Sequence, residues 1–419
     1  MTAFTFLHAA DLHLGSPFLG LSLKDEELAR RMASAGRDAF HAMVEAAIAE
    51  KVAFVVIAGD IYDGEWKDAS IGLFFNREVA RLDRAGIRVF LVKGNHDAES
   101  VVTKSVTLPG SVSEFPSRAP ASFRLDELKV VLHGRSFPDR VVAENYALTY
   151  PAAQPGWFNI GVLHTSCTGR PPHAPYAPCT LQDLATRGYQ YWALGHVHDH
   201  EILSQDPYVV YPGNIQGRSI RETGAKGVML VDVEDGAVTG LRRLILDKAR
   251  FALVPVDLGG VESVEAALGR IEEALREPVR QSEGRLLLAR IELVGETALH
   301  RRLAAERQML RDEVQAAAHR LHEDAFIEDL VMRTSEPRGP AGRAETGLAE
   351  TGLLDPAALI AGLEADAGLR AEAQALLGQI AGRLPASVAD GSPPLADELD
   401  TLLREATALV LGRLTLEDS

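Results

Sequence analysis

The residues able to do chemistry sit in five short clusters, each directly behind a run of apolar residues. FTFLHAAD leads into Asp11 and His13, and VAFVVIAGD delivers Asp60 behind Gly59. RVFLVKGNHD ends in Asn95, His96 and Asp97, WFNIGVLHT carries His164, and YWALGHVHD carries His196 and His198. Carboxylate, imidazole and amide oxygen without cysteine suit Mn²⁺, Fe or Zn²⁺ better than Ca²⁺ and disfavour a thiolate structural zinc site. Two of the clusters hold donors two positions apart, which on an extended segment aims both side chains the same way. Seven donors, Asp11, His13, Asp60, Asn95, His164, His196 and His198, are too many for one four-coordinate ion. They suit two divalent ions held about 3.5–4 Å apart by a shared carboxylate. Such a pair lowers the pKa of a bridging water toward ~7 and clamps a phosphoryl oxygen, so its natural reaction is in-line phosphoester hydrolysis. A histidine beside the ions but not bound to them is the fitting acid for the leaving alkoxide. His96 takes that role, with Asp97 as the acceptor that fixes its tautomer.

Taken singly, each cluster has an ordinary structural reading. His13 can be a core histidine, Asp11 a helix cap, Gly-Asn-His-Asp a turn, and Gly-His-Val-His a polar loop. In this order, each at the end of an apolar strand, they point to one pocket, because open α/β sheets place their sites at strand ends.

The elements that must position these groups follow from the alternation of short β-branched runs with helical stretches over Asp25 to Glu50 and Ser70 to Ala85. Further strand-like runs come at LKVVLHG, YVVYPGN and GVMLVDV, several joined by turns too short for crossover helices. A mixed sheet or two packed sheets is expected rather than one parallel sheet. From Arg250 the texture changes to a small αβ module with helices over Val261 to Arg276 and Thr297 to about Glu323. Positions 336–356, rich in Gly, Pro and Ala, read as a linker. Beyond it, 357–419 reads as helical, with Leu399, Leu402, Leu403, Ala406, Leu409, Val410 and Leu414 at near 3.6-residue spacing on a terminal helix. That helix either folds back on its own domain or docks on a partner's helices.

The chain has 419 residues, enough for two to four domains, and its 46% hydrophobic and 24% charged residues are ordinary globular values. It has no run of eighteen uncharged apolar residues, and its first fifteen lack the basic start and apolar stretch of a secretory signal. A cytoplasmic protein without a membrane role is expected; Cys167 and Cys179 could form one bridge, but neither core nor compartment requires it, and free buried thiols are expected. Net charge is −16, and the excess lies distally: from Arg250 onward there are 18 basic against 30 acidic residues, and before it 25 against 29. A basic stripe of the kind that holds nucleic acid by counterion release is not evident. Arg218 and Arg221 are candidates either for bidentate phosphate contacts or for plain surface solubility. His8, His41 and His133 read as structural, and Asp63 either steadies the turn after Asp60 or touches a metal.

The series Asp11-x-His13, Gly59-Asp60-x-x-Asp63, Gly94-Asn95-His96-Asp97, His164 and Gly195-His196-x-His198 resembles the calcineurin-like metallophosphoesterase superfamily. Within it, HAADLHLG, AGDIYDG, VKGNHD and YPGNIQGRSIRETGAKG are similar to the DNA repair exonuclease group of the SbcD and YhaO type, over roughly positions 4 to 245. The resemblance implies an α/β fold in which a metallophosphoesterase β-sandwich of mixed sheets is flanked by helices over 1–249. It implies one metal on Asp11, His13, Asp60 and His198, and another on Asp60, Asn95, His164 and His196, with Asp60 bridging. It also implies manganese as the favoured ion, His96 as the catalytic assistant, DNA as substrate and an SMC-like ATPase as partner. Relatives often form a homodimer. By position alone, 250–335 corresponds to the capping module and 357–419 to a partner-binding region. The leading expectation is a Mn²⁺-dependent nuclease acting on DNA ends. The alternatives are a phosphodiesterase or phosphatase for small nucleotides and a non-catalytic subunit of an ATPase complex.

Overall fold

Apolar residues on both faces of a strand force it into the middle of a layered stack. In β2 (Phe54–Ala58) every residue is buried. Phe54, Val56 and Ala58 face a core with Phe6, Phe90, Ile160 and Tyr191, while Val55 and Ile57 face a second core with Phe40, Met43, Phe75 and Val79. The computed structural model describes residues 2–16, 26–63, 69–99, 107–167, 176–337, 366–381, 399, 402–403 and 406. The terminal positions Leu409, Val410 and Leu414 and nearly all of the expected linker lie outside the described residues.

Two six-stranded mixed sheets carry the first part of the chain. In the first, β1 (Ala3–Ala9), β2, β3 (Arg88–Val92) and β4 (Val112–Glu114) run parallel, and β11 (Gly227–Glu234) and β12 (Ala237–Ile245) add antiparallel on the far side of β1. In the second, β6 (Val130–Gly134), β7 (Phe158–His164), β8 (Tyr191–Gly195) and β10 (Tyr208–Tyr211) run parallel between antiparallel edges β5 (Ala121–Leu125) and β9 (Glu201–Gln205). The inner faces pack through stacked Phe6 and Phe54 and the edge-on ring of Tyr191. Helices α1 (Glu26–Ala49) and α2 (Ala69–Arg84) cover the outer face of the first sheet through Phe40 and Phe75. On the outer face of the second, Trp192, Leu194 and Leu163 pack with Tyr146 and Tyr150. Short helices α3 (Asn95–Glu99) and α4 (Leu181–Ala185) follow β3 and precede β8.

The chain divides into two units, Met1–Ala252 with Ser282–Leu288, and Leu253–Gln281 with Ala289–Ser419. The second contains most of a three-stranded sheet in the order β13 (Ala249–Asp257), β14 (Leu286–Glu296), β15 (Ala325–Ser335), with helix α5 (Val264–Ser282). The single helix expected over Thr297 to Glu323 is two, α6 (His300–Ala305) and α7 (Arg307–Leu321), because Glu306 leaves helical geometry with ψ 21°. A last helix, α8, spans Ala367–Ala381. Among the described residues no helix is long and apolar enough to cross a membrane.

Candidate metal centre

Where β1 and β2 end, their continuations stay paired. The amide of Asp11 donates to Gly59 O at 3.0 Å, that of His13 to Asp60 O at 3.0 Å, and that of Leu14 to Ile61 O at 2.9 Å. The sequence predicts Asp11 and His13 on an extended segment; instead Asp11, His13 and Asp60 have φ of 52°, 43° and 53°. Left-handed backbone is costly for residues with a Cβ and tends to cluster at functional sites. Glycine fits the crowding around them. A Cβ on Gly94 would overlap the Asp60 carboxylate and sit 2.8 Å from His164 Cε1, and one on Gly195 would overlap Ala58 O.

The buried carboxylates are held by amides from the ends of other strands. Asp11 accepts from His196 N with both oxygens at 3.0 Å, and Asp60 accepts from His96 N at 3.0 Å. Burial pushes the Asp11 carboxyl up. Burial acts the same way on Asp60, but the charges of His164, His96 and His13 and a hydrogen bond from His164 outweigh it and hold that carboxyl well below its usual range.

Each of two histidines is oriented by its Nδ1. His164 Nδ1 lies 2.9 Å from Ala58 O, leaving Nε2 at 2.9 Å from Asn95 Oδ1 and 3.4 Å from Asp60 Oδ2. His198 Nδ1 lies 2.7 Å from Glu222 Oε1, and its Nε2 faces His13 Nε2 at 3.1 Å. Metal-binding histidines characteristically give the other ring N–H to a carboxylate or carbonyl in this way. Burial opposes charge on His164, but Asp60 and Asp11 together raise its imidazole to about 9; burial drives His13 well below its ordinary value.

The assignment of Asp97 as the partner of His96 is also corrected. Asp97 accepts from Ile61 N at 2.9 Å and from Tyr62 N and Gly94 N at 3.0 Å, so it ties the loops after β2 and β3 together. His96 pairs instead with Asp63, Nδ1 to Oδ1 at 3.0 Å. Burial works against charge on His96, but this hydrogen bond and the charges of Asp60 and Asp63 prevail, and its imidazole lies above the ordinary value. Arg218 lies 3.8 Å from Asp63 and pairs with Glu222 at 2.8 Å, joining the support of His96 to that of His198. It is therefore not a surface solubility residue. Glu222 escaped the sequence reading: it lies within RSIRETGAKG, 24 positions from His198, and no local spacing links the two.

Asp11, His13 and His198 bring donor atoms within 4.8 Å of one another, as do His13, Asp60 and His96, and Asp11, Asp60 and His164. Asn95 joins through His164. The two histidines of Gly-His-Val-His part: His198 meets His13, while the His196 ring lies 5.3 Å from that of His164 and 4.8 Å from Tyr176. His96 has the reach of a ligand as well as of an acid. Carboxylates, an amide oxygen and imidazoles, two of them (His164 and His198) with their Nδ1 sides occupied, fit divalent ions. His8, between Tyr191 and Leu194 O, and His133, between Ser122 and Asn159, are core histidines.

Residues 4–200 match the family described as calcineurin-like phosphoesterase, and with this fold and cluster they constitute a calcineurin-like metallophosphoesterase domain. Such phosphoesterases use divalent metal ions. Residues 251–335 match the family described as metallophosphoesterase YhaO, middle domain. The chain is 38% identical over 243 residues to the uncharacterized metallophosphoesterase YhaO of Bacillus subtilis (strain 168), across 57% of this chain and 60% of that one. It is 23% identical over 272 residues to the DNA double-strand break repair protein Mre11 of Sulfurisphaera tokodaii, across 61% and 66%. The chain thus spans less than two thirds of each of these relatives. A dimetal phosphatase of Danio rerio covers 59% of this chain and 99% of its own at 15% identity, with a TM-score of 0.34.

Proposed function

We propose that this protein is a metal-dependent phosphodiesterase that degrades DNA from its ends and serves DNA repair in the cytoplasm beside an SMC-like ATPase. One observation carries the reading: His13 Nε2 and His198 Nε2 face each other at 3.1 Å with Asp11 and Asp60 alongside, while His164 Nε2 meets Asn95 and Asp60. On this reading Asp11, His13, Asp60 and His198 hold one divalent ion, by preference Mn²⁺, and Asp60, Asn95, His164 and His196 hold the second. When bound, those ions supply an activated water and positive charge for the phosphoryl oxygens. The chain's own residues do the rest. Ala58 O and Glu222 keep the inward nitrogens of His164 and His198 aimed at the centre, and His96, kept protonated by Asp63, gives its proton to the leaving alkoxide oxygen.

The DNA assignment draws support from relatives named as DNA double-strand break repair proteins. Residues 250–335 act as a capping module, 336–356 as a linker and 357–419 as the partner-binding region, and a homodimer is part of the same reading. The distal excess of acidic residues, 30 against 18 basic, weighs against tight DNA binding by this chain alone and favours a second reading, hydrolysis of small nucleotides.

One assay separates them: purified protein with Mn²⁺ or a chelator on linear DNA, circular DNA and a small phosphodiester dye. Metal-dependent loss of linear DNA with the circle spared is expected. Hydrolysis confined to the dye moves the assignment to small nucleotides, and hydrolysis of none removes the enzyme reading.

A further inference from the structure

Cys167 and Cys179 take no part in the centre, yet the fold pairs them. They face each other in an isolated parallel β-bridge, both are buried, at 3% and 5% exposure, and both belong to the cluster of Trp192, Tyr146 and Tyr211 outside the second sheet. Paired residues of neighbouring strands lie about 4.8 Å apart, inside the ~4.4–6.8 Å Cα spacing that a disulfide spans. Bonds that do not involve sulfur already hold the two segments in register. Cys167 N donates to the Tyr211 hydroxyl at 2.9 Å, which donates to Thr165 O at 2.7 Å. The Thr165 hydroxyl donates to Ala177 O at 2.7 Å and lies 3.4 Å from Cys179 Sγ. Closing a bond between the sulfurs asks the two segments to draw slightly together at their Cβ atoms. The Cys167 thiol, aided by the Thr165 hydroxyl, holds the Cys179 thiol below its ordinary value against the effect of burial, and the thiolate is the form that reacts.

We propose that Cys167 and Cys179 are a redox-modification site, a thiol pair that closes to an intramolecular disulfide with a peroxide as oxidant and reopens with a dithiol. The Cys179 thiolate attacks one peroxide oxygen and becomes a sulfenic acid as the O–O bond breaks and, with one proton, water leaves. The Cys167 sulfur then displaces the sulfenic oxygen, which departs as a second water with the Cys167 proton. Two thiols and one hydrogen peroxide thus give one disulfide and two waters. The bond would brace a wall of the centre, since Cys167 follows His164 closely and Tyr176, just before Cys179, lays its ring 4.8 Å from His196. It requires nothing of the metal-dependent reading and stands or falls apart from it.

The test treats the full chain with hydrogen peroxide under native conditions, counts thiols after denaturation, and maps the peptides by mass. Expected are a fall from two thiols to none, a joined peptide holding both cysteines and two hydrogens lighter than the separate pair, and full reversal by dithiothreitol. The oxidised protein should also melt at a higher temperature than the reduced one. Cys167→Ser and Cys179→Ser should each lack the joined peptide; should either fail to fold, the map of the unaltered chain decides. Two surviving thiols, sulfinic acid on either cysteine without the cross-link, or a cross-link formed only in denaturant would overturn the proposal.

Discussion

His96 Nδ1 lies 3.0 Å from Asp63 Oδ1, while Asp97, its immediate neighbour in the chain, is engaged by three backbone amides. A residue 33 positions back in the sequence thus helps Asp60 hold charge on His96 against burial. Asp63→Asn should let the imidazole fall back toward its ordinary value. A group that works as an acid fails as pH rises through its pKa, so the alkaline limb of the rate profile should move to lower pH. His96→Ala should cost about 10²–10⁴-fold in turnover with bound metal unchanged. An alkaline limb that stays put in Asp63→Asn would separate the two residues.

Asp60 touches nearly everything in the centre: His164 at 3.4 Å, His13 at 3.9 Å and the amide of His96 at 3.0 Å. Asp60→Ala should abolish hydrolysis and leave fewer than two bound ions per chain by elemental analysis. Two ions retained at full occupancy would show that this carboxylate is not shared.

Metal uptake should depend on pH through His164. Without ions its imidazole is raised to about 9, so below that pH an incoming ion must displace a proton. Apparent Mn²⁺ affinity should therefore climb between pH 6.5 and 8.5, by up to about tenfold per unit for one displaced proton. Calorimetry in buffers of different ionisation enthalpy should register the release. Affinity flat across that range would remove His164 from the ligands.

Two glycines give opposite expectations under the same substitution. Gly94→Ala drives a methyl into the Asp60 carboxylate and toward the His164 ring, and should cost about 2–4 kcal/mol of stability in denaturant titrations. Gly36, inside α1, has nothing within 4 Å of its would-be Cβ, so Gly36→Ala should stabilise by roughly 0.5–1 kcal/mol. Equal effects would mean that crowding at the centre is not what requires a glycine at position 94.

The eight strands legible in the first part of the sequence are interior to their sheets, and the four that were not, β4, β5, β9 and β12, are the edges. The physics explains the division. An interior strand such as β8 is buried throughout, whereas β9 is nowhere buried and β5 only at its last residue. A half-solvated edge writes a weak apolar signal. At the centre, the donors were legible because each closes an apolar run. Asp63, Arg218 and Glu222 act through contacts that the folded loops create, and Asp97 has a use for its carboxylate that adjacency to His96 concealed. The separation of His196 from His198 accompanies a φ of 102° at His196, which spacing alone does not disclose.

The carboxylate behind β1 is gripped by the amide of His196 at the exit of β8, so one half of the centre is fastened to the other across nearly two hundred residues. A nascent chain cannot own this constellation until both layers have closed on each other, and a partly made copy lacks it. The centre is thus a product of completed folding.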